Sequence, residues 1–320
     1  MDERKAGIKG LVDSVIVAEE LNMCKSTLQV PVVDLSGIEV EDGRKKIVDE
    51  IREASEKWGI FQVINHGIPS SVLEGIIDGT RKFHEQDVEV KNQYYTSDPT
   101  ARRVRYESNL HLYKTKGKTA NSKDSLHIPW QDSGDNEPEE IPPVCRKPSV
   151  EYINHVIKLQ HILLGLLSEA LGLNPNHLKA IGCDKGPGLV CNYYPACPLP
   201  ELTLGKHTDP VFLTILLQDQ NGGLQVMCDN QWADVTPIEH GLVVNRGESR
   251  ILRKRVHHCF KNNIKKIIIT ITKRAIHKNY ITTKNIISLQ LYSTRLHILK
   301  MIYNSIITYI FKYLPLYLTN

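Results

Sequence analysis

The chain has 320 residues, 41% hydrophobic and 24% charged, with a formal net charge of +4. That is room for one large domain or two modest ones, and the composition excludes collagen-like, coiled-coil and wholly disordered classes. The net charge conceals a split: residues 1–245 carry 25 Lys and Arg against 35 Asp and Glu, whereas residues 246–320 carry 15 against the single acid Glu248. Such an asymmetry often marks a nucleic-acid or membrane tail. Here the basic residues are scattered among Ile and Tyr rather than clustered, so neither a nucleic acid nor a membrane is expected as a partner. Seven Cys without a C-x-x-C pair, and an amino terminus (MDERKAGIKG) without an apolar stretch, point to free thiols in a reducing compartment, the cytoplasm.

In chain order, residues 30–35 read as a short buried strand. Over 44–58, Ile47, Val48, Ile51, Ala54 and Trp58 recur at helical spacing, and Gly59 ends that helix before a strand at 60–64. Pro69 and Ser70 open a second helix, with Val72, Leu73, Ile76, Ile77 and Phe83 on one face. Residues 96–149 are polar, Pro-rich and acidic near their end, which predicts surface loops. A long apolar face then predicts a helix over 150–171, stopped by Gly172 and Asn174-Pro175. From Gly188 the period changes to short apolar runs at 189–194, 211–217, 224–227, 231–235 and 242–245, separated by turn residues. This predicts an antiparallel barrel or sandwich, so a helical front precedes a β-rich back.

Within that β-rich part lies Gly205-Lys206-His207-Thr208-Asp209-Pro210. Residues two apart on an extended segment share a face, so His207 and Asp209 can present an imidazole and a carboxylate to one point. With a second histidine this becomes the 2-His-1-carboxylate face that holds non-heme Fe(II) and leaves positions open for other ligands. Alone, H-x-D is a weak signal that arises often by chance, and a surface His with a solvated Asp beside a Pro turn is the commoner source of it.

The surrounding residues add to it. Asn192-Tyr193-Tyr194-Pro195-Ala196-Cys197-Pro198 is followed by Glu201-Leu202-Thr203-Leu204-Gly205. With Val30-Pro31-Val32-Val33-Asp34-Leu35, the run from Trp58 to Ile68, and Gly222-Gly223-Leu224-Gln225-Val226, this resembles the plant Fe(II)/2-oxoglutarate-dependent dioxygenases, most closely the aminocyclopropane-carboxylate oxidase homologues. The resemblance implies a mainly β fold with α: a double-stranded β-helix (jelly roll) preceded by a helical amino-terminal region. It divides the chain into an amino-terminal dioxygenase region at 28–149, a jelly-roll core at 150–245 and an unrelated basic tail at 246–320. It also implies Fe(II) held by His207 and Asp209, 2-oxoglutarate hydrogen-bonded by Asn192 and Tyr194, and ascorbate as a reductant. The implied reaction consumes oxygen and 2-oxoglutarate to hydroxylate or oxidise a small apolar specialised metabolite, with no obligate protein partner. His66 reads as a turn residue, and Trp58 and Phe61 as core.

The tail departs from the family. The second iron-binding His would fall near Asn263 and the Arg that grips 2-oxoglutarate near Lys273, with Ala275 where a Ser follows it in relatives; no Arg-x-Ser occurs anywhere in the chain. His258 is the nearest candidate by spacing for the third ligand, and its surroundings do not resemble the family's. The expectation is therefore a jelly roll short of its last two strands and an impaired oxygenase, the alternative being a catalytically dead member with a binding or regulatory role.

Overall fold

The computed structural model describes residues 28–96, 98, 100–108, 123–131, 134, 136–194, 207–209 and 211–247, together with the backbone of two further strands at 268–271 and 284–291. The helical front forms as its apolar spacing predicts. Strand β1 (Val32–Asp34) runs parallel to β2 (Ile60–Ile64), and helix α1 (Glu41–Lys57) connects them. Helix α2 (Ser70–His84) buries Val72, Leu73, Ile76 and Phe83, while the short α3 (Val88–Asn92) follows. The long α4 spans Pro143–Ala170 and starts earlier than its apolar face alone indicates, because Pro142 and Pro143 supply a helix start that needs no N–H partner. A single turn, α5 (His177–Ala180), leads into the sheets.

Two strands lie in the stretch expected to be surface loops: β3 (Arg105–Ser108) and β4 (Asp124–Pro129). Neither has the β-branched alternation that marks a strand in sequence. Pairing makes them strands: β4 aligns with β5 (Pro187–Tyr194) over six residues, from Asp124 opposite Tyr193 to Pro129 opposite Gly188. The remaining strands are β6 (Leu213–Gln218), β7 (Leu224–Cys228), β8 (Gln231–Asp234) and β9 (Leu242–Arg246), close to the expected runs.

The tail supplies the last two, β10 (Ile268–Ile271) and β11 (Lys284–Leu291). The large sheet has the order β1-β2-β9-β6-β11-β5-β4-β3 and the small one β10-β7-β8. This corrects the expectation of an incomplete roll. Strand β11 sits between β5 and β6, pairing with both, and β10 pairs with β7. The physical reason is local: 15 of the tail's 75 residues are Ile, with one Gly and one Pro, so β-forming segments are available. Unfilled edges on β5, β6 and β7 would be templates for them.

The large sheet separates two apolar cores. On its helix side, Leu189, Cys191, Leu213, Ile215, Leu217, Leu242 and Val244 pack with the helices, among them Ile51, Ile76 and Leu163. On its other face, Ile60, Tyr194 and Val243 meet Leu224, Val226, Ala233 and Val235 around the small sheet. Trp58 packs against this second core and Phe61 lies in the first, both as expected. His66 is a turn residue: its Nε2–H donates to the His240 carbonyl (2.8 Å) and its Nδ1 accepts from the Ile68 amide (3.2 Å). Among the described residues no helix is long and apolar enough to cross a membrane.

A polar group is buried in the helix-side core. The His84 ring stacks on Tyr193 (centroids 5.1 Å apart) and donates Nε2–H to the Cys191 carbonyl at 3.2 Å, while Lys91 caps the His84 carbonyl at 2.9 Å. Burial holds the His84 pKa down to about 3. Below about pH 6.5 the unfolded chain takes up a proton that the folded chain refuses, so stability falls as pH drops from 6.5 towards 3. His84→Gln is expected to lose about 2 kcal/mol less stability than the unaltered chain between pH 7 and pH 4.5, measured by urea unfolding at each pH. Ile287, opposite Cys191 on one side and Leu217 on the other, offers a test of strand β11. Ile287→Pro removes a ladder donor from a strand paired on both edges and is expected to lower the melting temperature by several degrees or abolish soluble expression; an unchanged melting temperature would contradict the pairing.

Candidate functional site

The face of the large sheet turned towards the small one carries the polar side chains. Strand alternation sends Cys191 and Tyr193 to the helices and Asn192 and Tyr194 inward; likewise Leu213 and Ile215 go outward and Thr214 inward, Val244 outward and Asn245 inward. His207 and Asp209 meet at this face. Asp209 is 7% exposed, and its Oδ1 lies 3.7 Å from Nε2 of the half-exposed His207.

The other oxygen of Asp209 is clamped. Thr214 Oγ1 donates to Oδ2 at 2.8 Å and Asn245 Nδ2 donates to the same atom at 2.7 Å. Thr214 and Asn245 are direct partners across the β6–β9 ladder, so one cross-strand pair makes both bonds. Hydrogen bonds to a charged acceptor are worth about 1.5–3 kcal/mol each, which offsets the cost of burying the carboxylate and fixes its plane. Gly247 completes the support from behind: a Cβ there would meet the carbonyl of Val211, the carbonyl of Asp209 at 2.6 Å and the Asp209 Cβ at 3.2 Å. The result is one carboxylate oxygen committed to the protein and one turned to the imidazole, an arrangement suited to a monodentate metal ligand with orienting partners.

Asn192 and Tyr194 stand on β5. Asn192 Oδ1 accepts from Ser125 Oγ at 2.8 Å and from Lys123 Nζ at 3.3 Å, both reaching from β4 or the residue before it. Tyr194 is buried; burial first, and the charge of Asp209 second, push its pKa well above the usual tyrosine range, so its hydroxyl stays a donor. Lys123 is pulled the other way, since burial lowers its pKa while the charges of Glu107 and Asp209 oppose that.

The two metal-ligand candidates are thus brought together, with the two β5 residues on the same face. Among the described residues no third His, Cys, Asp or Glu joins them, and His258 lies outside those residues. The strands that the tail contributes read Ile-Ile-Thr-Ile and Lys-Asn-Ile-Ile-Ser-Leu-Gln-Leu, with no His, carboxylate or Arg. Sequence reasoning missed Thr214, Asn245, Gly247, Ser125 and Lys123. Thr214, Asn245 and Gly247 take their role from the pairing and close approach of β6 and β9, which no sequence pattern displays, and Lys123 lies in a stretch assigned to loops.

Two family patterns match the chain. The non-haem dioxygenase in morphine synthesis amino-terminal region covers residues 30–148 and the 2OG-Fe(II) oxygenase superfamily covers 186–274, reaching into the tail. Deacetoxyvindoline 4-hydroxylase of Catharanthus roseus is 46% identical over 261 residues, which is 76% of this chain but 64% of that relative. An Arabidopsis thaliana relative, 1-aminocyclopropane-1-carboxylate oxidase homolog 1, is 46% identical over 263 residues, covering 77% of this chain and 71% of its own. Among solved structures, JOX2 in complex with 2OG, Fe and JA superposes with a TM-score of 0.72 at 26% identity, over 89% of this chain and 82% of that one. The dioxygenase for auxin oxidation 1 of Arabidopsis thaliana, in its binary complex with 2-oxoglutarate, shares the fold at 23% identity, with a TM-score of 0.62 over 83% of this chain and 93% of that one.

If the clamp orients Asp209 for a metal, removing either donor weakens metal binding without unfolding the roll. Thr214→Val and Asn245→Ala are each expected to raise the Mn(II) dissociation constant about 10- to 100-fold, read by isothermal titration calorimetry with circular dichroism as the folding control.

Proposed function

We propose that this chain, which belongs to the 2OG-Fe(II) oxygenase superfamily, is an Fe(II)- and 2-oxoglutarate-dependent oxidoreductase for a small apolar specialised metabolite, impaired by its carboxyl-terminal replacement. The observation that carries the reading is the buried Asp209, with Oδ2 held by Thr214 and Asn245 and Oδ1 facing His207. These two residues fit Fe(II) in chemistry: a carboxylate oxygen and an imidazole nitrogen, oriented by neighbours. His207 and Asp209 would hold the metal, which when bound would supply the chemistry that couples 2-oxoglutarate and oxygen to C–H oxidation.

The chain's own residues do the rest. Asn192 Nδ2 and the Tyr194 hydroxyl donate to 2-oxoglutarate; neither has a hydrogen-bond partner among the described residues. Leu224, Val226, Ala233, Val235 and Val243 pack with Tyr194 into an apolar core between the sheets, a neighbourhood that favours an apolar substrate. We assign residues 28–149 to the amino-terminal region, 150–245 to the jelly-roll core and 246–320 to a tail of different origin that supplies strands without the family's ligands. We assign the reaction to the cytoplasm, with ascorbate as reductant.

A second reading, a catalytically dead member that binds or regulates, is favoured by the lack of any His, carboxylate or Arg in β10 and β11. Succinate release from 2-oxoglutarate by the Fe(II)-loaded full chain separates the two. Slow release that is lost in Asp209→Ala supports the impaired oxygenase. Release undetectable above the Asp209→Ala background, with Fe(II) still bound, supports the dead member, and turnover of tens per second would overturn the impairment.

A further inference from the structure

Lys123 is a cation that the mechanism above leaves unused. Its ammonium has three N–H donors and no acceptor, and one of them is spent at 3.3 Å on Asn192 Oδ1. Among the described residues no carboxylate lies within ion-pair distance of it. The two whose charges it feels are engaged elsewhere: Glu107 with Arg105 at 2.6 Å and His127 at 3.4 Å, Asp209 with Thr214 and Asn245. A half-buried ammonium without a counter-ion is costly, and an anionic ligand would repay that cost.

The same contact decides how Asn192 faces the site. Because lysine can only donate, the atom that meets Lys123 must be the amide oxygen, and Ser125 Oγ donates to that oxygen as well. The Nδ2 donors of Asn192 are then left out of both of these bonds. Two residues along β5, on the same face, the Tyr194 hydroxyl is kept protonated by burial and by the Asp209 charge. The β4–β5 wall therefore offers an ammonium, an amide N–H and a phenol O–H, all donors, in a chain that contains no Arg-x-Ser.

We propose that Lys123 is the receptor for a carboxylate in this site, supplying from the β4 side the positive charge that the tail does not, and fixing Asn192 as a donor to the same ligand. The proposal rests on the oxygenase reading. The carboxylate belongs either to 2-oxoglutarate or to an acid group on an otherwise apolar substrate, and the chemistry of recognition is the same for both.

Binding to the full chain tests it, without turnover. Unaltered protein, Lys123→Met and Lys123→Arg are titrated under anaerobic conditions with Fe(II) present, using 2-oxoglutarate and, separately, phenylacetate with phenylacetamide as its uncharged counterpart. Melting temperatures check that each variant folds. The expected result is that Lys123→Met weakens 2-oxoglutarate binding at least tenfold and removes most of its salt dependence, while Lys123→Arg stays within about threefold of the unaltered chain. If 2-oxoglutarate affinity is unchanged but Lys123→Met loses the preference for phenylacetate over phenylacetamide, the receptor serves the substrate's carboxylate and the proposal holds in that form. Unaltered protein that binds the acids and Lys123→Met that binds both equally well overturn this inference alone. Unaltered protein that binds neither Fe(II) nor either acid overturns the oxygenase reading and the inference with it.

Discussion

The site hangs on one buried carboxylate and the strand register that holds it. Asp209 is taken out of water, and both donors to its Oδ2 come from a single cross-strand pair, Thr214 on β6 and Asn245 on β9. That pair stays inward because its neighbours are committed outward: Leu213, Ile215, Leu242 and Val244 are fully buried among the helix-side residues. A slip of one residue would send the donors to the helices and four apolar side chains to the site. The helical front therefore does more than fill space. By burying one face of β6 and β9 it sets the register from which the metal-ligand geometry follows, and Gly247 lets the chain leave β9 close enough to Asp209 to keep it there.

Elements whose sequence carries their own period were legible. Helices α1 and α2, strand β2 and the runs from β5 to β9 each show an apolar spacing that burial later explains, and His207 and Asp209 were singled out by their H-x-D spacing read together with the motifs around it. Other elements exist because of what they pair with. Residues 105–108 and 124–129 have no distinctive pattern, but β5 offers an edge and β4 takes it. Lys123 was invisible for that reason: its meaning comes from the neighbouring strand, since Asn192 lies 69 residues away in sequence. Thr214 and Asn245 were hidden differently. Each is an ordinary inward polar residue, and only the β6–β9 ladder shows that they share one acceptor.

The tail separates two kinds of information that families usually carry together. A strand position in a sheet asks for backbone donors and acceptors and a tolerable side-chain pattern, which many Ile-rich segments meet. A metal ligand or a guanidinium clamp asks for one residue type at one position. Residues 284–291 satisfy the first demand between β5 and β6 and, containing no His, carboxylate or Arg, leave the second unmet. Closure of the sheet is thus no evidence for completion of the site.

What the body retains points in one electrostatic direction. Asp209 is held at Oδ2 by donors that carry no net charge, and its Oδ1 faces His207. On the same face, Asn192, Tyr194 and Lys123 present donors and one positive charge, which suit an acid rather than a metal ion. In the proposed reading these two sets of groups suit the two ends of a metal-bound organic acid. The side chains concerned, Lys123, Asn192, Tyr194, His207, Asp209, Thr214 and Asn245, all precede residue 246. The proposed binding of metal and acid therefore rests on residues that precede the tail, and strands β10 and β11 add no His, carboxylate or Arg to them.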